Sequence, residues 1–219
     1  PDWGNPHQSV SGPLLADLAV AALRCGLTNV VSLEISDCMT PLYDTSQPDG
    51  HDLGHRIQLY GGGDAGDDYL KQIKASGQYP SFAEWLDRMR KTRAWRLRLA
   101  KRIAVGLDGV TEGGGTMLDN SAVLYTSENS CAGAHTVNFE MPFAILGGGN
   151  YFKTGQYVEY NTRRQADPTS TAWSNTATSA QVYTTLLNSL GINATSFGHA
   201  DFNKAQKSYG TGALSNIVK

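Results

Sequence analysis

The segment Pro80-Ser81-Phe82-Ala83-Glu84 constrains this chain more than any other stretch. A serine followed three residues later by glutamate is the signature of a capping box, in which the two side chains satisfy backbone N–H groups at a helix start. It opens a helix expected to run to about Ala104. A helix that long must bury one face, which commits the surrounding chain to a packed domain. Its apolar side, Phe82, Leu86, Met89 and Leu97, is expected to pack on a sheet. The same helix carries Arg88, Arg90, Lys91, Arg93, Arg96, Arg98, Lys101 and Arg102, eight of the 18 basic residues of the chain. Two readings of that run stand side by side: a surface for an anionic polymer or partner, and a solvated face. The bases lie around more than one face, so some are expected to meet acidic groups elsewhere.

The remaining elements alternate between helix and strand. Gly12–Arg24 has apolar residues at Leu14, Leu15, Leu18, Ala21 and Ala22, a helical stripe stopped by Gly26. Val30–Ile35 follows as an expected strand, and helix followed by buried strand points to the α/β class. Ser36 to about Gly63 reads as a long loop, and loops of that length in a compact domain are usually functional or disordered. Asp67–Ser76 reads as a short helix. After Glu112-Gly-Gly-Gly115, Ser121–Thr126 and Met141–Leu146 are expected strands, the second ended by Gly147–Gly149. Residues 161–175 are polar and irregular, an exposed excursion. Thr178–Leu190 is an amphipathic helix stopped by Gly191, and the tail from Ser196 reads as loop.

Composition limits the function classes. At 219 residues and 40% hydrophobic, the chain can bury a core as a single domain. A net charge of −2 gives no global field that would draw in nucleic acid, so no nucleic-acid partner is expected. No run of 18 or more apolar residues exists, so no transmembrane segment is expected. The start, Pro-Asp-Trp-Gly, has neither Met nor a signal peptide and reads as a processed or partial chain. Cys25, Cys38 and Cys131 fit neither a disulfide scaffold nor a zinc knuckle; Cys25 and Cys38 flank one unit and either pair or stay free.

Candidate chemistry concentrates in loops that would follow strands, where ligands bind in open α/β sheets. Pro48-Asp49-Gly50-His51-Asp52-Leu53-Gly54-His55 sets two of five histidines four residues apart beside two aspartates. Two histidines at that spacing can share a metal from one helical turn, but Gly54 and the neighbouring glycines argue against a helix there. Glu128 and Asn129 lie just past the 121–126 strand, and His135 in the loop beyond. A mixed imidazole, carboxylate and amide set suits zinc, manganese or calcium. Singly, each residue reads equally as a hydrogen-bonded loop group. His7 and His199 have no companions and read as structural.

The run TMLDNSAVLYTSENSCAGAH…MPFAILGGG resembles the second half of alkaline-phosphatase superfamily enzymes, which include phosphatases, nucleotide pyrophosphatases and sulfatases. Ser127-Glu128-Asn129 stands where those enzymes have Ser-Asp-His or Ser-Asp-Asn. His135 stands at the following cation position, and Met141–Gly149 at the last strand. Upstream, His51-Asp-Leu-Gly54-His55 is similar to their Asp-x-x-Gly-His, with histidine in place of the aspartate. The order DLAVAALRCGLTNVVSLEIS, HDLGHR, GTMLDNSAVLYTSE, H…MPFAILGGG…KTG and LLNSLGI…SFG also resembles a bacterial family of uncharacterised secreted proteins named for an HxxSHH motif, over about residues 10–217. Gly54 replaces the serine of that motif and Arg56 its last histidine.

The resemblance implies a three-layer α/β/α sandwich, of which this chain would be the C-terminal half. It also implies an extracytoplasmic setting: periplasmic, cell-surface or secreted. It implies a divalent metal, zinc or calcium, at His51, His55 and His135 with Asp49 or Asp52 nearby, and a second site faced by Glu128 and Asn129. Three imidazoles suit zinc, while Asn129 makes the second site oxygen-rich and favours calcium, magnesium or a vacancy. The superfamily nucleophile belongs to the first half of the fold. Ser9 and Ser11 lie outside the matching segment and Cys131 reads as a small loop residue, so no catalytic residue is assigned. The implied partner is the upstream half of the fold, another protein chain or a second copy of this one. The implied function is a metal-dependent hydrolase of phosphate or sulfate esters, or a catalytically lapsed structural or binding subunit.

Overall fold

In the computed structural model, Ser81 and Glu84 form the predicted capping box. The Ser81 N–H and hydroxyl both donate to Glu84 Oε2 at 2.8 Å, and the Glu84 N–H donates to Ser81 Oγ at 3.3 Å. The structure describes residues 8–34, 50–60, 68–127, 141–160, 177–198 and 212–219. The helices are α1 (Gln8–Arg24), α2 (Gly50–His55), which leads into a 3-10 turn over Arg56–Tyr60, α3 (Asp68–Ser76), α4 (Phe82–Asp108) and α5 (Ser179–Ser189). The strands are β1 (Thr111–Glu112), β2 (Gly115–Thr116), β3 (Ala122–Thr126) and β4 (Phe143–Gly147). The class is mixed α/β, and the described strands form two two-stranded antiparallel sheets, β1–β2 and β3–β4. The chain divides into two compact units, one over Pro1–Leu107 with Ser127–Asn138 and one over Asp108–Thr126 with Phe139–Lys219.

In the first unit, α4 is the spine, 27 residues and roughly 40 Å long at 1.5 Å per residue. Its buried face differs from the expected one. Trp85, Leu99, Ala100, Ala104 and Leu107 are buried, whereas Phe82 is 51% and Leu97 42% exposed. The partner also differs, because this face meets helices rather than a sheet. A Cβ on Gly12 of α1 would stand 3.1 Å from Leu99 Cδ1, and one on Gly106 of α4 would stand 2.8 Å from Val20 Cγ1. The two helices therefore approach through residues that lack side chains, with Ala16, Ala19 and Val20 buried on the α1 side. Arg102 clamps the pair by donating from Nε and Nη2 to Asp17 Oδ1 and Oδ2 at 2.5 and 2.8 Å. The bond from that guanidinium, and then its charge, hold the Asp17 carboxyl below its ordinary pKa.

Three sequence expectations change in this unit. Helix α1 begins at Gln8, upstream of Gly12, and runs through Pro13, its sixth residue. Residues 30–34 form no strand: Val30 is 75% exposed, and its N–H and C=O both bond the Thr28 hydroxyl instead of a neighbouring strand. An apolar run becomes a strand only where a ladder partner takes its backbone groups. The expected loop from Ser36 to Gly63 contains α2 and the 3-10 turn, and the reason lies in packing described below. Cys25, just past α1, is exposed with a free thiol; Cys38 and Cys131 lie outside the described residues.

The second unit is built from tight turns. Gly113 and Gly114 both take positive φ, 56° and 85°, the geometry of a two-residue hairpin turn matching strand twist, and they join β1 to β2. β3 pairs with β4 from Ala122↔Gly147 to Thr126↔Phe143. Gly147 has φ +86°, and a Cβ there would lie 2.6 Å from Leu118 O and 2.7 Å from Ser121 O. The glycine run after β4 is thus a place where two backbones touch. The Asp119 carboxylate accepts from the Thr116 N–H at 2.9 Å and hydroxyl at 3.0 Å, which lowers its pKa. Helix α5 starts with a second capping box, Thr178 and Gln181. Residues 212–219 of the C-terminal tail form no helix or strand, as expected, and are tied to the rest of the unit by hydrogen bonds. Phe152 bridges Val218, the Lys153 N–H donates to Ile217 O at 2.9 Å, and the Leu214 N–H donates to the buried Thr185 hydroxyl at 2.8 Å.

Candidate metal-binding turn

His51 and His55 sit at the first and last positions of the turn that follows Gly50 in α2. Residues four apart on a helix share one face, with Cβ atoms about 5–6 Å apart. Two glycines in six residues disfavour a helix by about 1 kcal/mol each relative to alanine, and an isolated helix this short does not persist in water. The turn is held by tertiary contacts instead. Leu53, between the histidines, is 2% exposed, and its carbonyl accepts a 2.8 Å hydrogen bond from the buried Trp85 indole Nε1. Burying one leucine side chain contributes roughly 2 kcal/mol and a well-made hydrogen bond about 1 kcal/mol, together enough to offset the glycines.

The chain leaving α2 is docked on the start of α4. The Tyr60 ring lies 5.4 Å from Phe82 and 5.6 Å from Trp85, with Tyr79 edge-on at 5.7 Å. The Tyr60 hydroxyl donates to Pro80 O at 2.6 Å. Burial, then the neighbouring Tyr79, pushes the Tyr60 pKa above its ordinary value, so the phenol stays a donor. Leu59 and Leu70 form a buried pair beneath, packed by Tyr60, Ile73 and Tyr79. The capping box of α4 and the histidine turn therefore rest on one aromatic cluster.

The candidate residues divide accordingly. His51, Asp52 and His55 lie in α2, and His55 is half-buried at its C-terminal end. Asp49, Glu128, Asn129 and His135 lie outside the described residues, as do His7, His199 and the 161–175 excursion. The ends of the segment carrying Glu128, Asn129 and His135 are described. β3 ends at Thr126 and β4 begins at Phe143 directly opposite, and the Thr126 hydroxyl donates to Pro142 O at 2.9 Å. The segment therefore leaves and returns at one end of one hairpin. Among the described residues, no group of three His, Cys, Asp or Glu side chains converges, and no helix is long and apolar enough to cross a membrane.

Sequence reasoning missed Trp85 and Leu53, which give the histidine turn its shape. The signal was a leucine between two histidines and a tryptophan one turn into a capped helix, but their pairing across 32 residues is a tertiary fact. A scan against protein-family models gives no match, and neither does a search of curated proteins or of solved structures.

Proposed function

We propose that this chain belongs to an extracytoplasmic, metal-dependent hydrolase-like protein of the alkaline-phosphatase and sulfatase type, acting on phosphate or sulfate esters within a three-layer α/β/α frame. The observation that carries the reading is the helical turn Gly50–His55, which gives His51 and His55 the spacing by which two imidazoles share one ion. Neutral imidazole is a good ligand for zinc, so the donor type fits the group. In this reading His51, His55 and His135 hold the ion, with Asp49 or Asp52 beside it, while Glu128 and Asn129 face a second, oxygen-rich position suited to calcium. A divalent ion there would supply Lewis acidity toward an ester oxygen. The chain's own contribution is the backbone of the turn, which the Trp85 bond to the Leu53 carbonyl holds in helical form.

A second reading has one observation in its favour. Val10, Leu14 and Leu18 follow one another at four-residue intervals on α1, and all are exposed, Leu18 at 64%. An apolar row of that kind suits a catalytically lapsed subunit whose work is to pack against another chain in a periplasmic or surface assembly. Metal analysis with ester hydrolysis separates the two. The hydrolase reading expects bound zinc and turnover of p-nitrophenyl phosphate or sulfate, both lost in His55→Ala while far-UV circular dichroism is unchanged. A metal-free, inactive protein that associates with itself or another chain supports the second reading and rejects the first.

A further inference from the structure

Between Arg88 and Arg102, α4 carries eight cationic residues and no acidic one. Two members of this block are paired with carboxylates: Lys91 with Asp87 at 2.6 Å, and Arg102 with Asp17. Arg90, Arg93, Arg98 and Lys101 are exposed and make no ion pair among the described residues. At 100° per residue, Arg90, Arg98 and Lys101 fall within one quarter-turn of the helix, and Arg93, also exposed, lies about 60° to one side of Arg90. They span about 16 Å along the axis at 1.5 Å per residue. Like charges so placed repel one another, and folding alone does not select them. A shallow cleft of about 290 Å³ opens within the row, lined by Arg90, Lys91, Ala94, Trp95 and Arg98.

We propose that this outward face of α4 is a docking surface for a linear sulfated polysaccharide. Three of these four cations are arginines, whose planar, weakly hydrated guanidinium binds oxyanions through two parallel N–H bonds. A sulfate ester is a weakly hydrated monoanion and matches that donor, and a single file of about 16 Å suits one strand bearing a few such groups. Single-stranded nucleic acid would need exposed aromatic rings on which bases stack, and the one ring at this cleft, Trp95, is half-buried. A membrane surface would need a continuous apolar helix face to insert, and on this side of α4 the exposed apolar residues are Leu97 and Val105, set singly among the cations. The proposal needs no metal and stands apart from the histidine turn.

The test uses the full chain and a heparin-type sulfated oligosaccharide, with affinity measured across a salt series. With four cations engaged, the log–log slope of affinity against salt should be about −3, by analogy with single-stranded polyanions. Replacing Arg90, Arg93, Arg98 and Lys101 by glutamine should weaken binding by at least about 30-fold and flatten that slope. Replacing Arg24, Lys71, Lys74 and Lys153 by glutamine removes the same charge elsewhere and should weaken it less than about threefold. Arg90→Lys/Arg93→Lys/Arg98→Lys keeps every charge and should still weaken binding several-fold, because the fork is lost. Unchanged far-UV circular dichroism keeps each comparison valid for these surface positions. The proposal is overturned if the wild type does not bind, if the two glutamine sets weaken binding equally, or if phosphatidylserine vesicles or single-stranded DNA bind more tightly than the glycan.

Discussion

The two compact units differ in what holds their most constrained turns. In the first, side chains reach across long sequence separations: Trp85 to Leu53, Arg102 to Asp17, Tyr60 to Pro80. In the second, side chains also reach far, as from Thr185 to Leu214, but the tightest turn sets backbone directly on backbone, where Gly147 meets Leu118 and Ser121. A unit built on side-chain anchors can hold a short, glycine-containing turn in a shape its own propensity rejects. A unit built on glycine contacts gains tight turns but leaves no room for change at them. The candidate histidine turn sits in the first unit, where geometry is imposed from outside the turn.

Breaking an anchor in the first unit should have the largest effect. Trp85→Ala empties the aromatic cluster and orphans the Leu53 carbonyl, a loss of about 4 kcal/mol by urea denaturation. Hydrogen exchange should rise first over residues 50–60. Trp85→Phe retains most of the packing and should lose only about 1 kcal/mol, isolating the hydrogen bond. In the second unit the damage comes from adding an atom. Gly147→Ala forces a side chain into the left-handed region and against two carbonyls, and should cost about 3 kcal/mol. Replacing Ala144 on the same strand with glycine adds no clash and serves as control. Thr185→Val is next at about 2 kcal/mol, because the buried Leu214 N–H loses its acceptor with little change in shape.

Acid should act on both units. Glu84 is held below its ordinary pKa by the Ser81 hydroxyl and N–H, and Asp119 by the Thr116 N–H and hydroxyl. For a carboxyl whose folded pKa is depressed, the stabilisation is present above its unfolded value, near 4. It is lost as pH falls through the folded value. Stability should therefore decline below about pH 4. Glu84→Gln should flatten the decline in exchange protection of α4, and Asp119→Asn that of the β1–β2 hairpin. Equal effects of both variants on both elements would dissolve the distinction between the units.

Local signals were legible in the sequence and tertiary ones were not. The Ser81/Glu84 capping box was legible because cap chemistry is contained within four residues, while the helix at 178–190 was legible from its apolar stripe and its Thr178/Gln181 box came from the structure. The strands at 121–126 and 141–146 appear within two residues of their expected ends because each apolar run is bounded by polar residues or, after Leu146, by glycine. Val30 and Val31 misled because an apolar run carries no information about a ladder partner. Gly54 misled because propensity speaks only for an isolated turn, whereas Trp85 and Leu53 decide this one. Of the candidate site, the histidine spacing was legible and the helix that gives the spacing meaning was not.

X-ray absorption at the zinc edge of the zinc-loaded protein tests the central claim, that α2 presents His51 and His55 to one ion. The account predicts imidazole nitrogen at about 2.0–2.1 Å, with the imidazole count falling by one in His55→Ala and again in His51→Ala/His55→Ala. Zinc surrounded by oxygen alone, or an imidazole signal indifferent to both substitutions, would contradict it.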